Sequence, residues 1–203
     1  MNLALIGATG FVGTALRTEA LSRGHRVSAI ARNAAGIEAH ANLRPTAIDL
    51  ANGAALVDAL RGADAALVAV RYHGTDVAAV LDAVRAAGVP RVLFMGGAGS
   101  LKTPGGADLL DTPEFPALYK DEATAARAFL RSLRADDTVE WSYLSPSAML
   151  LPGARSGSFR LGLDELLVDA DGGSSITVGD LAAAALDEIE TPTHSRRRFT
   201  AGY

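Results

Sequence analysis

The chain has 203 residues, and its 19 basic and 23 acidic side chains give a formal net charge of −4. This length fits one domain with a substantial core, and the acidic balance gives no reason to expect a nucleic-acid partner, which would need a basic face. The absence of cysteine excludes disulfides, thiolate metal sites and a cysteine nucleophile. No metal is expected, because the histidines lack metal-ligand spacing and are interpreted as loop and surface residues. They are His25, His40, His73 and His194.

The amino terminus has no basic stretch before its first apolar run. No segment approaches the roughly 18 consecutive apolar residues that a membrane helix needs. We therefore expect a cytoplasmic protein without membrane contacts. Its apolar strands and sheet edge are compatible with either a monomer or a homodimer.

Six apolar runs alternate with segments of helical periodicity along the chain. Glycine follows the first three helical segments, at Gly24, Gly62 and Gly88, and it is a common stop signal because it adopts the left-handed cap conformation. Continuous apolar runs indicate strands buried on both faces, as in a parallel sheet with helices on each side. The pattern predicts an α/β, doubly wound parallel sheet of the Rossmann type, as a single domain over residues 1–203. The runs are 2–7, 26–31, 46–50, 63–70, 91–96 and 139–145.

The stretch GATGFVG, residues 7–13, follows the first run and opens the first helix. Gly7 would end the strand in a tight turn, Gly10 would let the backbone approach a pyrophosphate, and Gly13 would allow close packing of the helix. A merely tight turn is the alternative, but the position after the first strand, with five more strands to follow, favours a dinucleotide. The predicted cofactor contacts here are Gly7, Thr9, Gly10, Phe11, Val12 and Gly13.

The residues after the second and third strands bear on which dinucleotide binds. Where an acidic residue would bind a ribose 2′-hydroxyl, the chain reads AIARN and offers Arg32. A guanidinium there suits a 2′-phosphate, so NADPH is favoured over NADH; a solvated charge is the alternative. Asp49, in AIDL, is placed with Leu50 to meet the adenine, or Asp49 caps the following helix.

Four stretches further along the chain resemble a known family. They are MGGAGSL, WSYLSPSAM, FRLGLDELLVDADGGSSITVGDLAAAALDEIE and the final HSRRRFTAGY. With the glycine spacing, they make the chain from Asn2 to Tyr203 similar to the NAD(P)H-binding atypical short-chain dehydrogenase/reductases, which include proteins described as NADH-flavin reductases and relatives of biliverdin reductase B and the NmrA-like proteins. The carboxy-terminal block is the more specific part of this resemblance.

The resemblance implies that the hydride donor lies across the carboxyl ends of the strands. The acceptor would occupy a pocket built by residues 69–74, 96–106 and 145–150, in which Ser100 lies near the nicotinamide and orients a carbonyl or a flavin edge. The alternative for Ser100 is a loop serine that stabilises a turn. Arg71, Tyr72 and His73 are candidate pocket residues or part of a solvated loop. The further cofactor contacts implied are Ala69, Val70, Arg71, Gly96, Gly97 and Pro146.

The chain departs from the wider superfamily at its Tyr-x-x-x-Lys motif. YKDEA supplies Tyr119, a candidate catalytic residue, but Ala123 stands where the lysine should be, and Lys120 lies on a different helix face. A proton relay to an alcohol, which needs a nearby ammonium to lower the tyrosine pKa, is therefore not expected. A flavin or quinone-like acceptor fits better because hydride transfer to it needs no side-chain acid, and FMN or FAD would then be a diffusible acceptor.

Two further segments carry expectations about structure. Residues 98–116 are rich in Gly and Pro and are interpreted as a loop that covers the pocket or is partly disordered. Residues 146–203 are expected to supply a small substrate-side lobe, with short strands in SGSFRLG and DELLVDADGGSSI. A helix should follow at TVGD, where Thr177 and Asp180 have capping-box spacing. The run HSRRRF is interpreted as surface charge.

Three hypotheses on function follow. The favoured one is an NADPH-dependent reductase that passes hydride to a small-molecule flavin or quinone-like acceptor. A nucleotide-sugar epimerase or dehydratase is permitted by the glycine motif, but such enzymes need the Tyr/Lys pair and a larger substrate lobe. A non-enzymatic redox sensor of the NmrA-like type would bind the dinucleotide and modulate a partner, and a fold does not by itself prove chemistry.

Overall fold

The computed structural model describes residues 1–203 as an eight-stranded sheet with helices on both faces. The strands of this sheet lie in the order β3-β2-β1-β4-β5-β6-β10-β8, and every pair is parallel except the last. The strands are β1 (Asn2–Ile6), β2 (Arg26–Ala31), β3 (Leu43–Ala47), β4 (Ala65–Val68), β5 (Arg91–Met95), β6 (Glu140–Pro146), β7 (Met149–Leu151), β8 (Arg160–Gly162), β9 (Ser175–Thr177) and β10 (Arg197–Gly202). The helices are α1 (Phe11–Ser22), α2 (Gly53–Leu60), α3 (Val77–Ala86), α4 (Lys120–Leu133) and α5 (Val178–Glu190).

Apolar side chains fill both faces of the sheet. One core combines strand residues such as Ile6 and Phe94 with residues of α2, α3 and α4, and the other combines Leu5 and Leu93 with α1 and α5. Successive residues of a strand point to opposite faces, so a strand between two cores must be apolar throughout. The doubly wound Rossmann fold predicted from the continuous runs is confirmed.

The strand order reverses direction at β1. The chain builds β2 and β3 on one side of β1 and then crosses to add β4 on the other side. In open α/β sheets, ligands bind outside the carboxyl ends of the strands at such a switch point. The residue that follows β1 there is Gly7.

The third strand begins and ends three residues earlier than predicted, since β3 spans Leu43–Ala47 rather than 46–50. It is the edge strand of the sheet, and its exposed Arg44 and Pro45 break the apolar pattern. The buried apolar residue of this region, Ile48, lies just beyond the strand, where its N–H still bonds the carbonyl of Ala31 at 3.0 Å. The apolar run therefore overlaps only the last two residues of the strand.

One part of the carboxy-terminal segment, residues 146–203, joins the main sheet, and another part forms a second, smaller sheet. β10 pairs with β6, β8 forms the antiparallel edge beyond it, and α5 packs against α1. β7 and β9 form a separate two-stranded parallel sheet. The predicted short strands of this segment are present as β8 and β9, and the side chain of Thr177 caps α5 by accepting from the N–H of Asp180, as the spacing predicted.

Two histidines are less exposed than expected. His25 is buried, with its Nε2 at 2.7 Å from Glu190 Oε1, because α1 and the end of α5 close over it. His194 stacks on Phe199 with ring centroids 4.4 Å apart. None of the helices combines the length and the apolar character that a membrane span requires.

Glu188 of α5 is 3% exposed and lies at the centre of a buried polar network near the start of β5, β6 and β10. Its carboxylate accepts from Arg91 at 2.6 Å, from Ser142 at 2.9 Å and from the Nδ1 of His194 at 2.8 Å. Burial alone would raise the pKa of Glu188, but hydrogen bonds from His194, Thr193 and Ser142 outweigh it and hold the pKa below its usual value. The carboxylate therefore stabilises the folded state above its unfolded pKa of about 4.3, and that stability is lost as the pH falls through the lower folded pKa.

Replacing Glu188 by Gln should lower the free energy of unfolding at pH 7 by about 2 kcal/mol, because the buried Arg91 guanidinium loses its only carboxylate partner. Urea unfolding of both proteins measures this difference. The difference should shrink as the pH falls below the unfolded pKa of about 4.3 and through the lower folded pKa of Glu188, because the wild-type side chain then becomes protonated too. Equal stabilities at pH 7 would contradict the account.

Candidate active site

The three glycines of residues 7–13 differ in how closely the rest of the protein approaches them. Gly7 has φ +86°, and a Cβ there would lie 2.2 Å from the carbonyl oxygen of Ala69. A Cβ on Gly13 would lie 2.0 Å from the carbonyl oxygen of Gly7, so a side chain at either position would force the backbone to shift. A Cβ on Gly10 would meet only the Gly7 oxygen, at an ordinary 3.5 Å. Gly10 therefore leaves open space at the mouth of the loop, which fits the close approach of a pyrophosphate.

The first turn of α1 presents free backbone donors to this space. Its first helical hydrogen bond runs from the N–H of Thr14 to the carbonyl of Gly10 at 2.8 Å, and the N–H groups of Phe11, Val12 and Gly13 have no acceptor in the protein. By contrast, side chains cap α2, α3 and α5. Uncapped N–H groups and the positive end of a helix dipole favour an anion. The residues present thus fit the diphosphate of a dinucleotide.

Arg32 and Asp49 follow neighbouring strands at the same edge of the sheet. Arg32 comes directly after β2, is exposed, and makes no hydrogen bond or ion pair. Asp49 comes two residues after β3, is exposed, and accepts from the N–H of Ala51 through Oδ1 at 3.0 Å. The residue that caps α2 is Asn52, so the capping alternative for Asp49 is wrong. Both charged side chains are free to contact a ligand.

The other residues predicted to contact the cofactor are distributed along the same edge. Ala69 and Val70 follow β4, and the carbonyl of Ala69 touches Gly7. Pro146 ends β6 and is buried beside β10. The exposed predicted contacts are Thr9, Phe11 and Arg71, and the half-buried ones are Val12, Leu50, Gly96 and Gly97.

The loop after β4 is held by α4 in a way that the sequence did not reveal. Glu122 accepts from the N–H groups of Tyr72 and His73, at 2.7 and 2.9 Å. His73 is exposed, whereas Tyr72 is 6% exposed and donates its hydroxyl to the carbonyl of Met95 at 3.0 Å. Tyr72 therefore lies in the core and joins the ends of β4 and β5.

Tyr143 lies beside Tyr72 and supports the loop after β5. A Cβ on Gly96 would lie 2.1 Å from the Tyr143 ring, so this ring requires the glycine. Burial raises the pKa of Tyr143 to about 12 and raises that of Tyr72 well above its usual value. Both phenols stay protonated at neutral pH, and neither is placed as a base.

Ser100 ends a short 3₁₀ turn after β5, and Arg198 of β10 holds it. The guanidinium Nη1 of Arg198 donates to Ser100 Oγ at 3.4 Å, and its Nη2 donates to the carbonyl of Ser100 at 3.3 Å. Because Ser100 Oγ accepts from Arg198, its own proton is available to a ligand. Ser100 is half-buried and follows the carboxyl end of β5.

Arg198 was expected to be a surface charge, and that expectation is wrong. It is 5% exposed, and its Nε donates to Asp164 Oδ1 at 2.7 Å; Arg134 donates to the same oxygen at 2.6 Å. Burial acts to raise the pKa of Asp164, but Arg198 and Arg134 outweigh it and lower the pKa. A buried charge on a strand inside the sheet needs a partner. No local pattern indicated that Asp164, 34 positions earlier in the chain, would supply it.

Tyr119 and Ala123 occupy different environments at the start of α4. The Tyr119 side chain is 58% exposed and makes no hydrogen bond. Ala123 is 9% exposed and packs against Gly99, where an added Cβ would lie 2.7 Å from the Ala123 methyl group. The helix therefore meets the loop after β5 through two small residues, at the position where a catalytic lysine would stand.

The long loop of residues 98–116 is ordered. It contains two 3₁₀ turns, Ala98–Ser100 and Leu109–Asp111, and Arg127 of α4 pairs with Asp108 at 3.0 Å and with Asp111 at 2.7 Å. The N–H of Lys102 donates to the carbonyl of Asp164 at 2.8 Å, which ties this loop to the segment between β8 and β9. These contacts fix the loop beside the carboxyl ends of β5 and β6.

Comparison with known proteins places the chain among its relatives. It is 38% identical over 210 residues to the uncharacterized protein YwnB of Bacillus subtilis, with 98% of this chain and 97% of YwnB covered. The crystal structure of a proposed epimerase from Bacteroides thetaiotaomicron has a TM-score of 0.95 and 39% identity, over 100% of this chain and 96% of that one. A proposed NADH-flavin reductase from Streptococcus pneumoniae has a TM-score of 0.83 and 31% identity, over 100% of this chain and 99% of that one.

The family comparison agrees with the geometry of the cleft. Residues 7–192, which begin at the first glycine of the loop and end after α5, match the model of the family described as NAD(P)H-binding. The predicted resemblance to an NAD(P)H-binding family is thereby confirmed. The chain belongs to the NAD(P)H-binding family.

Proposed function

We propose that this protein is an NADPH-dependent oxidoreductase that transfers hydride to a diffusible flavin or quinone-like acceptor. The observation that carries the proposal is the uncapped first turn of α1, with open space at Gly10, on the same sheet edge as the unpaired Arg32. A diphosphate and a 2′-phosphate both find donors there. We further propose a cytoplasmic protein that acts as a monomer or homodimer.

The protein would hold the cofactor mainly through backbone donors and one guanidinium. The N–H groups of Phe11, Val12 and Gly13 donate to the diphosphate, and Arg32 forms charge-assisted hydrogen bonds with the 2′-phosphate. Asp49 keeps its Oδ2 free to accept from the adenine amino group. When bound, NADPH supplies a hydride, and the acceptor takes its second hydrogen as a proton from water.

The acceptor side favours positioning over acid–base chemistry. Ala123 stands at the lysine position, Tyr119 is isolated, and the raised pKa values of Tyr72 and Tyr143 leave no tyrosinate at neutral pH. Flavins and quinones fit such a site because hydride transfer to them needs no side-chain acid. Ser100 would donate its hydroxyl to a carbonyl or ring nitrogen of the acceptor and orient it.

A panel of acceptors tests this function. The protein is incubated with NADPH and FMN, FAD or menadione, and loss of the nicotinamide absorbance is followed. Oxidation that depends on the acceptor supports a reductase. Tight binding of NADPH without oxidation in any mixture would replace the proposal with the sensor hypothesis, and conversion of a nucleotide sugar instead would favour an epimerase.

Replacing Ser100 by Ala should lower kcat for acceptor reduction about tenfold, while the affinity for NADPH stays within about twofold, because one hydrogen bond to the acceptor is lost. Tyr119→Phe is the matched control and should be nearly silent, since the Tyr119 hydroxyl makes no hydrogen bond. Steady-state kinetics and NADPH titration measure both. An unchanged kcat in Ser100→Ala would leave Ser100 as a turn residue, and a large loss in Tyr119→Phe would restore an altered relay.

A further inference from the structure

A cavity of about 330 Å³ lies at the end of the sheet opposite the glycine loop. The amino-terminal ends of β1, β2 and β3 and the turn after α2 form its walls. Three arginines line it, Arg26, Arg44 and Arg61, and no carboxylate does. This volume is at the lower end of the roughly 300–1,000 Å³ of small-molecule sites.

The sheet register brings two of these arginines to one face. Ser28 of β2 pairs with Arg44 of β3, so their side chains leave the same face of the sheet. Arg26 lies two residues before Ser28 and therefore shares that face. Arg61 directly follows α2, which packs on the same side. The three arginines thus line the cavity from two strands and a helix end.

Carboxylates elsewhere in the protein do not neutralise this cluster. The guanidinium groups of Arg26 and Arg44 make no hydrogen bond or ion pair. Arg61 contacts only Asp58, at 3.5 Å, with side chains 67% and 74% exposed, and such a surface pair contributes little. Asp64, the other nearby acid, accepts from the N–H of Asn2. Arg26 and Arg44 therefore carry charge that no carboxylate compensates, and with Arg61 they line a cavity that contains no acidic residue, which indicates a site for an anion.

We propose that this cavity binds a phosphate monoester with a small apolar substituent. Guanidinium groups match phosphate oxygens with two parallel hydrogen bonds, which makes arginine well suited to phosphate recognition. The half-buried Leu43, Ala59 and Ala63 also line the cavity and offer apolar contacts for the substituent. The site is distinct from the cofactor cleft, because Gly7 and Arg32 follow the opposite ends of β1 and β2.

Calorimetric titration of phenyl phosphate into the full chain tests the proposal. The double variant Arg26→Gln/Arg44→Gln should bind at least tenfold more weakly than the wild type. The matched control Arg131→Gln/Arg197→Gln removes two other exposed arginines that make no ion pair, and it should bind within twofold of the wild type. Inorganic phosphate should bind more weakly than phenyl phosphate, because it lacks the apolar group. Circular dichroism checks that the variants fold.

Arg32→Gln separates this cavity from the cofactor cleft. If phenyl phosphate affinity falls in Arg32→Gln and not in Arg26→Gln/Arg44→Gln, the phosphate binds in the cleft and the proposal is wrong. Equal affinities in all variants, or no binding at millimolar concentration, would overturn it as well. The proposal does not depend on the reductase activity, so failure of one leaves the other standing.

Discussion

Replacing Gly10 by Ala should weaken NADPH binding on the order of 100-fold, about 2.7 kcal/mol, while the protein stays folded. The added methyl group has room within the protein, since its nearest neighbour would be the Gly7 carbonyl oxygen at 3.5 Å. It would fill the space through which a diphosphate reaches the N–H groups of Phe11 and Val12. Alanine is a poorer helix N-cap than glycine, so a loss of stability of up to about 1 kcal/mol is expected.

Two other glycine substitutions make the Gly10 result interpretable. Gly13→Ala places its methyl group 2.0 Å from the Gly7 carbonyl oxygen, so it should lose NADPH binding and also about 1–3 kcal/mol of stability. Gly53→Ala lies at the start of α2 with nothing within 4 Å, and it should keep both properties. Thermal unfolding and NADPH titration of the three variants give the comparison. Unchanged NADPH affinity in Gly10→Ala would contradict the assignment of this loop to the cofactor.

Replacing Arg32 by Gln should weaken NADPH binding by about 10- to 100-fold and leave NADH binding nearly unchanged. Charge-assisted hydrogen bonds to phosphate contribute roughly 1.5–3 kcal/mol, and only NADPH carries the 2′-phosphate. Arg32 makes no contact within the protein, so the fold should not change. Fluorescence titration of both cofactors measures the two affinities.

Arg131→Gln provides the control for Arg32. Arg131 is also an exposed arginine without an ion pair, but it lies in the last turn of α4. Its substitution changes the net charge equally and should leave both affinities within twofold. If Arg32→Gln weakened NADH as much as NADPH, the 2′-phosphate contact would be excluded.

The sequence predicted the fold well where burial is symmetrical. β1, β4 and β5 lie between two cores, and each appears as an uninterrupted apolar run. The range predicted for the edge strand β3 was wrong by three residues, because the exposed residues of this strand do not form an apolar run. The glycine loop was predictable because a Cβ at Gly7 or Gly13 would overlap a backbone carbonyl oxygen.

The acceptor side was less predictable because it is assembled from segments far apart in the chain. Arg198 binds Ser100, 98 positions earlier, and Asp164, 34 positions earlier. Glu122 holds the loop at Tyr72 across 50 positions. Local patterns do not encode such pairings. The basic run HSRRRF was therefore interpreted as exposed surface charge, whereas Arg198 is buried in the folded protein.

Relatives described both as an epimerase and as an NADH-flavin reductase share this fold, so the residues of the cleft must distinguish the two chemistries. The resemblance to the wider superfamily implies that an epimerase would use the Tyr-x-x-x-Lys pair to move a proton on and off its substrate. Here Ala123 packs against Gly99 at the lysine position, and Tyr119 lies exposed without a partner. The absence of a Tyr/Lys pair at these positions supports our proposal of a reductase over an epimerase.

The most direct test of the account is anaerobic oxidation of NADPH, followed at the nicotinamide absorbance with and without FMN, and with NADH as the control donor. We expect oxidation only when FMN is present, and faster oxidation of NADPH than of NADH. Binding of NADPH without oxidation would contradict the reductase, and equal rates with the two donors would contradict the role of Arg32.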